Sequence, residues 1–485
     1  MAVRLPGEER GEGVRLGAHT VIDPRVSVRG PVLLGANCRL EAGVTVEPYT
    51  VIGDNVTVEQ GASLKQAIIW DGVTIGRRAA VRGAVIGCRV ILEDNTAVYE
   101  GAAVGDGCTV RTFSIVKPEV KIWPEKEIDR YTTVRRNLIW GSRCPRSLFA
   151  SQGVGGYVHR DLTPALVSQV AAAFGSLLAP GSTVAVSRAP GAGPELLAAA
   201  ALTGLLTGGL RVFDLGESLL PLHRYAVRAL GLAGGLHVRR DPRESDRLIL
   251  VFSDDRGLPL AGGQRRKVDS AYQQENFRRV KESELLPVTR TTDLEDRYLT
   301  YLGACLGGAL PSEKTPFFVY TPAPKIFTWL TRLAPALPWE LVLVPDIEAL
   351  RQRLREGTVA GGASFDAEGE ELVLWEPGGR ALTRQRQHLL LTQVLLAEPR
   401  PPLLALPVSA PSPAEALARA ANVTVRWVRN EWRAIAEAAW QPPLGGRQVQ
   451  MLGDALYTFV ALAGYLAAQN LTFPQALAAL PETWQ

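Results

Sequence analysis

A six-residue repeat constrains the start of this chain more than any other feature. From Thr20 the sequence reads TVIDPR VSVRGP VLLGAN CRLEAG VTVEPY TVIGDN VTVEQG ASLKQA. The first position of each hexad holds Thr20, Val26, Val32, Cys38, Val44, Thr50, Val56 and Ala62. The third position holds Ile22, Val28, Leu34, Leu40, Val46, Ile52, Val58 and Leu64. Each hexad predicts one flat face of a triangular coil, with a small or β-branched residue and its i+2 neighbour pointing inward. Gly, Asn, Asp and Pro fall at the corners, where unusual backbone angles are needed. After Leu64 the register slips through IIWDGVTIGRRAAVRGAVIGCRV, then resumes in AVYEGAAVGDGCTV to about Ile115.

The pattern resembles the left-handed parallel β-helix of hexapeptide-repeat proteins. Acyltransferases with that fold use a histidine base between coils, and His19 in the first coil is the one histidine of this region. A corner role competes with a catalytic one for it. Stacked coils leave flat faces and open ends, so a homo-oligomer through the β-helix is expected. The stretch VKIWPEKEIDRYTTVRRNLIWGSR, Val120 to Arg143, is similar to the closing segment of bacterial mannose-1-phosphate guanylyltransferase-type sugar nucleotidyltransferases. In that family a nucleotidyltransferase domain with a G-x-G-x-R loop comes first. No such loop precedes Thr20, so the resemblance implies a partner: a separate sugar-nucleotidyltransferase.

From Leu148 the pattern changes to alternating helices and strands. In DLTPALVSQVAAAFGSLL, Thr163 is placed as an N-cap and Pro164 at the first helical position. Leu166, Val170, Phe174 and Leu177 are predicted to share one face. TVAVS reads as a buried strand, PELLAAAALTGLLTGG as a helix closed by Gly208 and Gly209, LRVFDLG as a strand and PLHRYAVRALG as a helix. Alternation of this kind predicts a mostly parallel, helix-covered sheet. A length of 485 residues implies three or four domains. The 46% hydrophobic content is ample for packed cores.

The net charge of +4 gives no basic stripe for nucleic acid. No apolar run is long enough for a membrane span. The five cysteines form no C-x-x-C pair, which points to a reducing, cytoplasmic compartment.

The order of these elements resembles the first domain of the phosphoglucomutase/phosphomannomutase superfamily, and the resemblance extends to the end of the chain. The family's start motif corresponds to FASQGVGG, Phe149 to Gly156, with Gly155 at the arginine position. Its V-G-R-D-x-R strand end corresponds to VSRAPG, which keeps Arg188. Its phosphoserine loop corresponds to VRRDPR, where Asp241 takes the serine's place and Pro242 the histidine's. A carboxylate can carry a phosphoryl group, so Asp241 is the catalytic candidate, with Ser245 nearby but out of register. Arg188, Arg239, Arg240 and Arg243 are candidates for holding a phosphate. The family's magnesium loop corresponds to DAEGEE, and its alternating Asp366, Glu368 and Glu370 are candidate ligands for Mg²⁺. No other cofactor is implied. The sugar loop G-E-x-S-G and the fourth, phosphate-binding domain have no counterpart in the sequence.

The predicted organisation is a left-handed β-helix over 1–143, followed by phosphohexomutase-like α/β/α domains. Domain I spans 144–262, a helical connector 263–300, domain II 301–398 and domain III 399–485. Phosphoryl transfer depends on positioning and charge stabilisation. With the carrier replaced and the metal loop altered, the sequence favours a catalytically inactive scaffold or regulatory, oligomerising subunit in sugar-phosphate or nucleotide-sugar metabolism. A hexose phosphate is the expected small-molecule partner. A divergent phosphohexomutase and a hexapeptide acyltransferase are the alternatives.

Overall fold

The computed structural model describes residues 8–9, 13–144, 146–244, 246–290, 293–306, 314–356, 359–397, 403–442 and 444–481. The chain divides into two compact units: Met1–Ala150 with Gly155–Thr163, and Ser151–Val154 with Pro164–Gln485.

The first unit is a stack of coils whose short strands build three sheets with parallel neighbours; a single antiparallel strand caps one end. The hexad rule decides what is inside. Leu34, Leu40, Val46, Ile52, Val58 and Leu64 are all within 1% of full burial, as are the first-position residues Cys38, Val44, Val56 and Ala62. Two first-position threonines are buried as well, and each hydroxyl is satisfied locally: Thr50 donates to Glu47 O and Thr96 to Glu93 O. Corner aspartates tie one coil to the next. Asp54 Oδ1 accepts from Ala36 N at 2.6 Å, Asp71 Oδ1 from Asp54 N at 2.8 Å, and Asp94 Oδ1 from Arg77 N at 2.9 Å. A side chain at Gly53 would put its Cβ 2.3 Å from Asp71 Oδ1, which is why glycine (Gly35, Gly53, Gly76) precedes each of the donors Ala36, Asp54 and Arg77. His19 sits exposed at a left-handed corner, φ 60°.

The slip in the repeat has a simple cause. Leu34 pairs with Ile52, a coil of 18 residues, whereas Ile52 pairs with Ile69 and Ile69 with Ile86, coils of 17. One residue is missing at a corner in each of two successive coils, at Lys65–Gln66 and at Arg82–Gly83. The full coil then returns, with Ile86 beside Val104. The stack runs past Ile115 to Arg143–Cys144, which pairs with Glu127–Ile128.

The second unit opens with α1 (Pro164–Gly175), β1 (Thr183–Arg188), α2 (Ala192–Thr207), β2 (Arg211–Glu217) and α3 (Leu220–Ala229). Next come β3 (Gly234–Arg240), β4 (Arg247–Asp254), α4 (Gly262–Gln273) and β5 (Val288–Arg290). The five strands run in the order β4-β3-β1-β2-β5, parallel except for β4. Helix α1 begins at Pro164 as predicted, but it stops at Gly175. Leu177 therefore lies beyond its end and is 38% exposed, while Val167 takes a fully buried place on the inner face. Gly208 and Gly209 close α2 as read from the sequence.

Most of the segment 263–300, expected as a connector, belongs to this layer instead, and its last residues, from Leu294, begin a helix of the next one. It supplies most of α4, which packs on α1, and β5, which extends the sheet beside β2.

A second sheet follows, ordered β7 (Trp339–Leu343), β6 (Thr315–Tyr320), β8 (Gly361–Phe365), β9 (Leu372–Trp375). It is flanked by α5 (Leu294–Gly303), α6 (Pro324–Leu333), α7 (Ile347–Arg355) and α8 (Arg384–Leu396). The region 399–485 is not one α/β domain. Only β10 (Leu404–Pro407), α9 (Ser412–Ala420), β11 (Val425–Val428) and α10 (Trp432–Ala438) make a small separate layer. After α11 (Gly446–Gly453), helix α12 (Ala455–Ala468) buries Leu456, Phe459, Val460 and Leu462 in the same core as Phe317 and Trp339 of the second sheet and Trp329 of α6; α13 (Phe473–Ala478) adds Phe473 to it. The reason is composition: α12 is apolar on every side, so it can only be central.

Within the solenoid, Leu64→Ala is expected to lower stability by about 2–5 kcal/mol, because the site is fully closed and cannot collapse. Ser63→Ala, one residue away on the outer side, is expected to change it by less than about 0.5 kcal/mol. Chemical denaturation of the two variants checks the inside–outside assignment.

Candidate functional site

The candidate site lies where the C-terminal end of β3 meets the hairpin between β8 and β9. Its centre is a carboxylate held between two arginines. Glu370 accepts from Arg224 Nη2 of α3 at 2.6 Å and from Arg239 of β3 through its other oxygen. Both arginines are 6% exposed. Arg239 also donates to Gln152 Oε1 at 3.0 Å, and Arg224 to Gly453 O at 2.9 Å. The Arg224 guanidinium lies 4.6 Å from the ring centre of Trp432. One side chain of α3 thus touches the β8–β9 hairpin, the end of α11 and the start of α10. A second arginine closes a neighbouring junction, with Arg433 of α10 donating to the buried Asp254 of β4 at 2.7 Å. Burial alone would raise the Glu370 carboxyl, but the two arginines outweigh it and hold it below its ordinary range.

Beside this clasp runs a buried chain of five polar groups. Ser187 Oγ is 2.7 Å from His223 Nδ1 and 2.7 Å from His237 Nδ1. His223 Nε2 is 3.2 Å from Ser253 Oγ, and His237 Nε2 is 3.3 Å from Glu368 Oε2. Ser253 Oγ is 3.4 Å from the Gly235 carbonyl; with its proton directed there, His223 Nε2–H donates to Ser253. His223 Nδ1 then accepts from Ser187, Ser187 accepts from His237 Nδ1–H, and His237 Nε2 accepts from a protonated Glu368. The electrostatics agree. Burial pushes the Glu368 carboxyl up to about 8, burial lowers His237 to about 3, and burial takes His223 well below its usual value. Both rings are neutral and both ring nitrogens of each are used, so neither histidine is left to act as a base. Gly235 makes room for the chain, since a Cβ there would lie 2.4 Å from His223 Nε2.

The predicted site residues are distributed differently from the sequence reading. Asp241 Oδ1 accepts from the backbone N of Arg243 at 2.9 Å, and Oδ2 lies 3.5 Å from Arg247 Nε. Its carboxylate shapes its own loop. Ser245 lies outside the described residues. Arg239 is separated from the other three candidate phosphate arginines. Strand alternation sends Arg239 into the interior and Arg240 outward. Arg240 lies exposed against Gly191, Arg188 pairs with Glu195 at 3.2 Å, and Arg243 is exposed in the loop.

The three candidate metal ligands diverge as well. The loop is a tight turn rather than an extended run, because Gly369 adopts φ 74° and Asp366 Oδ1 accepts from the backbone N of Glu370 and Glu371 at 2.8 and 3.0 Å. Glu368 serves His237, and both oxygens of Glu370 serve arginines. Among the described residues no group of three or more His, Cys, Asp or Glu is arranged to hold a metal ion. The loop does not fit Mg²⁺: a guanidinium occupies each side of Glu370 that a cation needs.

Arg224, His223, His237 and Ser187 were not singled out from sequence. Arg224 carries a visible signal, a charge on the apolar face of a short helix in PLHRYAVRALG. Its partner stands 146 positions away, which no local pattern can reveal.

Two families match separate parts of the chain. The family described as GMPPB C-terminal domain matches residues 28–139, and the family Phosphoglucomutase/phosphomannomutase, alpha/beta/alpha domain I, matches residues 146–279. A phosphoglucosamine/phosphogalactosamine mutase of Sulfurisphaera tokodaii is 29% identical over 160 residues, covering 33% of this chain and 34% of that protein. A phosphoglucosamine mutase of Rhodococcus jostii is 31% identical over 170 residues, 34% of this chain and 38% of the relative. The chain thus spans about a third of the length of these curated relatives. Among solved structures, a phosphoglucomutase/phosphomannomutase family protein from Burkholderia thailandensis aligns with a TM-score of 0.56 at 19% identity, over 69% of this chain and 80% of that one. That likeness is one of fold: stacked parallel strands are followed by phosphohexomutase-like α/β/α layers.

The clasp predicts a large asymmetry among arginines. Arg224→Met is expected to destabilise the second unit by about 3–5 kcal/mol, since it leaves a buried carboxylate half-compensated, while Arg240→Met changes stability by less than about 0.5 kcal/mol. Urea unfolding distinguishes them. Glu368 predicts a pH dependence. Its folded-state carboxyl is raised from 4.5 to about 8, so the stability it contributes is full below pH 4.5 and is lost as pH rises through 8. Glu368→Gln keeps a donor to His237 without an ionisable proton. It is expected to match the wild type near pH 5 and to exceed it by a few kcal/mol near pH 8.5, in denaturation curves recorded across that range.

Proposed function

We propose that this chain is a non-catalytic, mutase-like scaffold or regulatory subunit of sugar-phosphate or nucleotide-sugar metabolism, carried on a left-handed hexapeptide solenoid. One observation carries the reading. The acidic loop of the mutase-like region is closed on protein cations, with Glu370 between Arg224 and Arg239 and Glu368 neutral against His237. A phosphoryl-transfer site needs charge that is open to the transferring group. Here Glu370 and Glu368 of the acidic loop are matched internally, and the best carrier candidate, Asp241, is engaged by its own loop.

Similarity to phosphoglucosamine mutases supports sugar-phosphate metabolism as the setting and a hexose phosphate as the ligand class. The solenoid's resemblance to the guanylyltransferase-type β-helix supports a nucleotidyltransferase as partner. No helix among the described residues is long and apolar enough to cross a membrane. The cysteines as thiols support a reducing compartment.

A divergent phosphohexomutase is the second reading. The match of residues 146–279 to mutase domain I favours it, together with the position of Asp241 directly after β3.

The two readings predict opposite outcomes in one assay. The full chain is incubated with hexose 6-phosphates, glucosamine 6-phosphate among them, plus a hexose 1,6-bisphosphate and Mg²⁺. The scaffold reading expects no hexose 1-phosphate above background and no phospho-protein by intact mass. It also expects a melting temperature unmoved by Mg²⁺. Robust turnover that is lost in Asp241→Asn would overturn it in favour of the mutase.

A further inference from the structure

The small layer made by β10 and β11 is a two-stranded parallel sheet, and its two edges are not equivalent. Leu404 pairs with Val425 and Leu406 with Trp427. Leu404 N–H donates to Thr424 O and Val408 N–H to Val428 O, so the even-numbered residues of both strands spend their backbone groups on the ladder. The odd-numbered residues turn theirs outward: Ala405 and Pro407 from β10, Val425 and Trp427 from β11. The β10 edge is closed. Ala405 N–H donates to Gln448 Oε1 at 3.1 Å, and the Ala405 carbonyl accepts from Gln448 Nε2 at 2.6 Å. A side-chain amide of α11 thus stands where a third strand would begin, and Pro407 has no N–H to offer. The β11 edge is open. Among the described residues, the N–H and carbonyl groups of Val425 and Trp427 make no hydrogen bond. The Trp427 side chain is 44% exposed and Arg426 is exposed beside it.

Donors and acceptors alternate along this edge, and their complement is another extended strand. Two strands are also fewer than an independent sheet needs. Charge selects which strand fits. Arg419 pairs with Glu415 at 2.8 Å and Arg429 with Glu431 at 3.9 Å, while Arg426 is in no ion pair among the described residues. A second copy that used all four outward groups would run antiparallel, with Val425 opposite Trp427. That register places the two-fold axis at Arg426 and sets two guanidinium groups directly against each other, which is destabilising. A different chain with a carboxylate at that position gains what self-pairing loses. Its neighbours in sequence point to the other face of the sheet, where Trp427 offers a half-exposed ring.

We propose that an extended strand of a different protein docks on the open edge of β11, with an acidic side chain beside Arg426 and an apolar one beside Trp427. Such docking does not depend on whether the mutase-like region is catalytic. The full chain is titrated against blocked, fluorescent peptides with valine on one face and threonine on the other, carrying glutamate or lysine at the centre of the threonine face. By anisotropy, the glutamate peptide is expected to saturate and to bind about fivefold more tightly than the lysine peptide. Arg426→Glu is expected to reverse that preference. Val425→Pro removes an outward N–H and no ladder bond. It is expected to weaken binding about tenfold with an unchanged far-ultraviolet spectrum. Any of four outcomes overturns the proposal: saturation by neither peptide, a preference that Arg426→Glu leaves in place, binding undiminished in Val425→Pro, or a species of twice 52.4 kDa in sedimentation that Val425→Pro returns to monomer. The last would give the edge to a second copy.

Discussion

A carboxylate buried between two guanidinium groups is what the second unit is assembled around. Removing Glu370 from water is expensive, and only a partner at each oxygen makes it tolerable. Those partners come from α3 and β3, while Glu370 itself comes from the β8–β9 hairpin. The ion triad therefore exists only when the first and second sheets are correctly docked. Arg224 extends the requirement to Gly453 and to the ring of Trp432. Hydrophobic burial supplies most of the stability of such a unit, but it is non-directional. The arginines supply the direction, by allowing one arrangement of layers in which no buried charge is left unmatched.

The same arrangement is what supports the proposal of a non-catalytic role for a region with a mutase-like fold. A catalytic site keeps charge uncommitted until substrate arrives. Here Asp241, Glu368 and Glu370 have each found a partner within the chain. The Ser187–His223–His237 chain shows the same economy, with every donor and acceptor used once and the last proton resting on a backbone carbonyl. The groups that could have done acid–base work instead hold one another in place.

The solenoid was legible because its rule is local. Inward positions recur every six residues, and the residues themselves state whether they face in or out. The layered α/β pattern was legible for a similar reason: Pro164, Gly208 and Gly209 mark helix ends that the structure reproduces. The failures are non-local. DAEGEE read as an open acidic loop because alternation is visible in sequence, whereas the Gly369 turn and the Asp366 cap reverse it in space. Arg239 and Arg240 read as a pair because they are neighbours, yet a strand sends neighbours to opposite sides. The placement of α12 depended on a core formed by residues more than a hundred positions earlier, such as Phe317 and Trp339.

The two shortened coils have an implication for how this chain can vary. Lys65–Gln66 and Arg82–Gly83 lie at the same edge of the prism, one above the other, where Gly83 N donates to Lys65 O. A residue restored at one of them alone would move the boundary between short and full corners by one coil, a boundary the edge already carries where Gly101 N donates to Gly83 O. Restored at both, it would regenerate two ordinary turns. Length change at this edge is therefore absorbed where a short corner meets a full one, and the edge carries one such boundary on each side of the shortened pair.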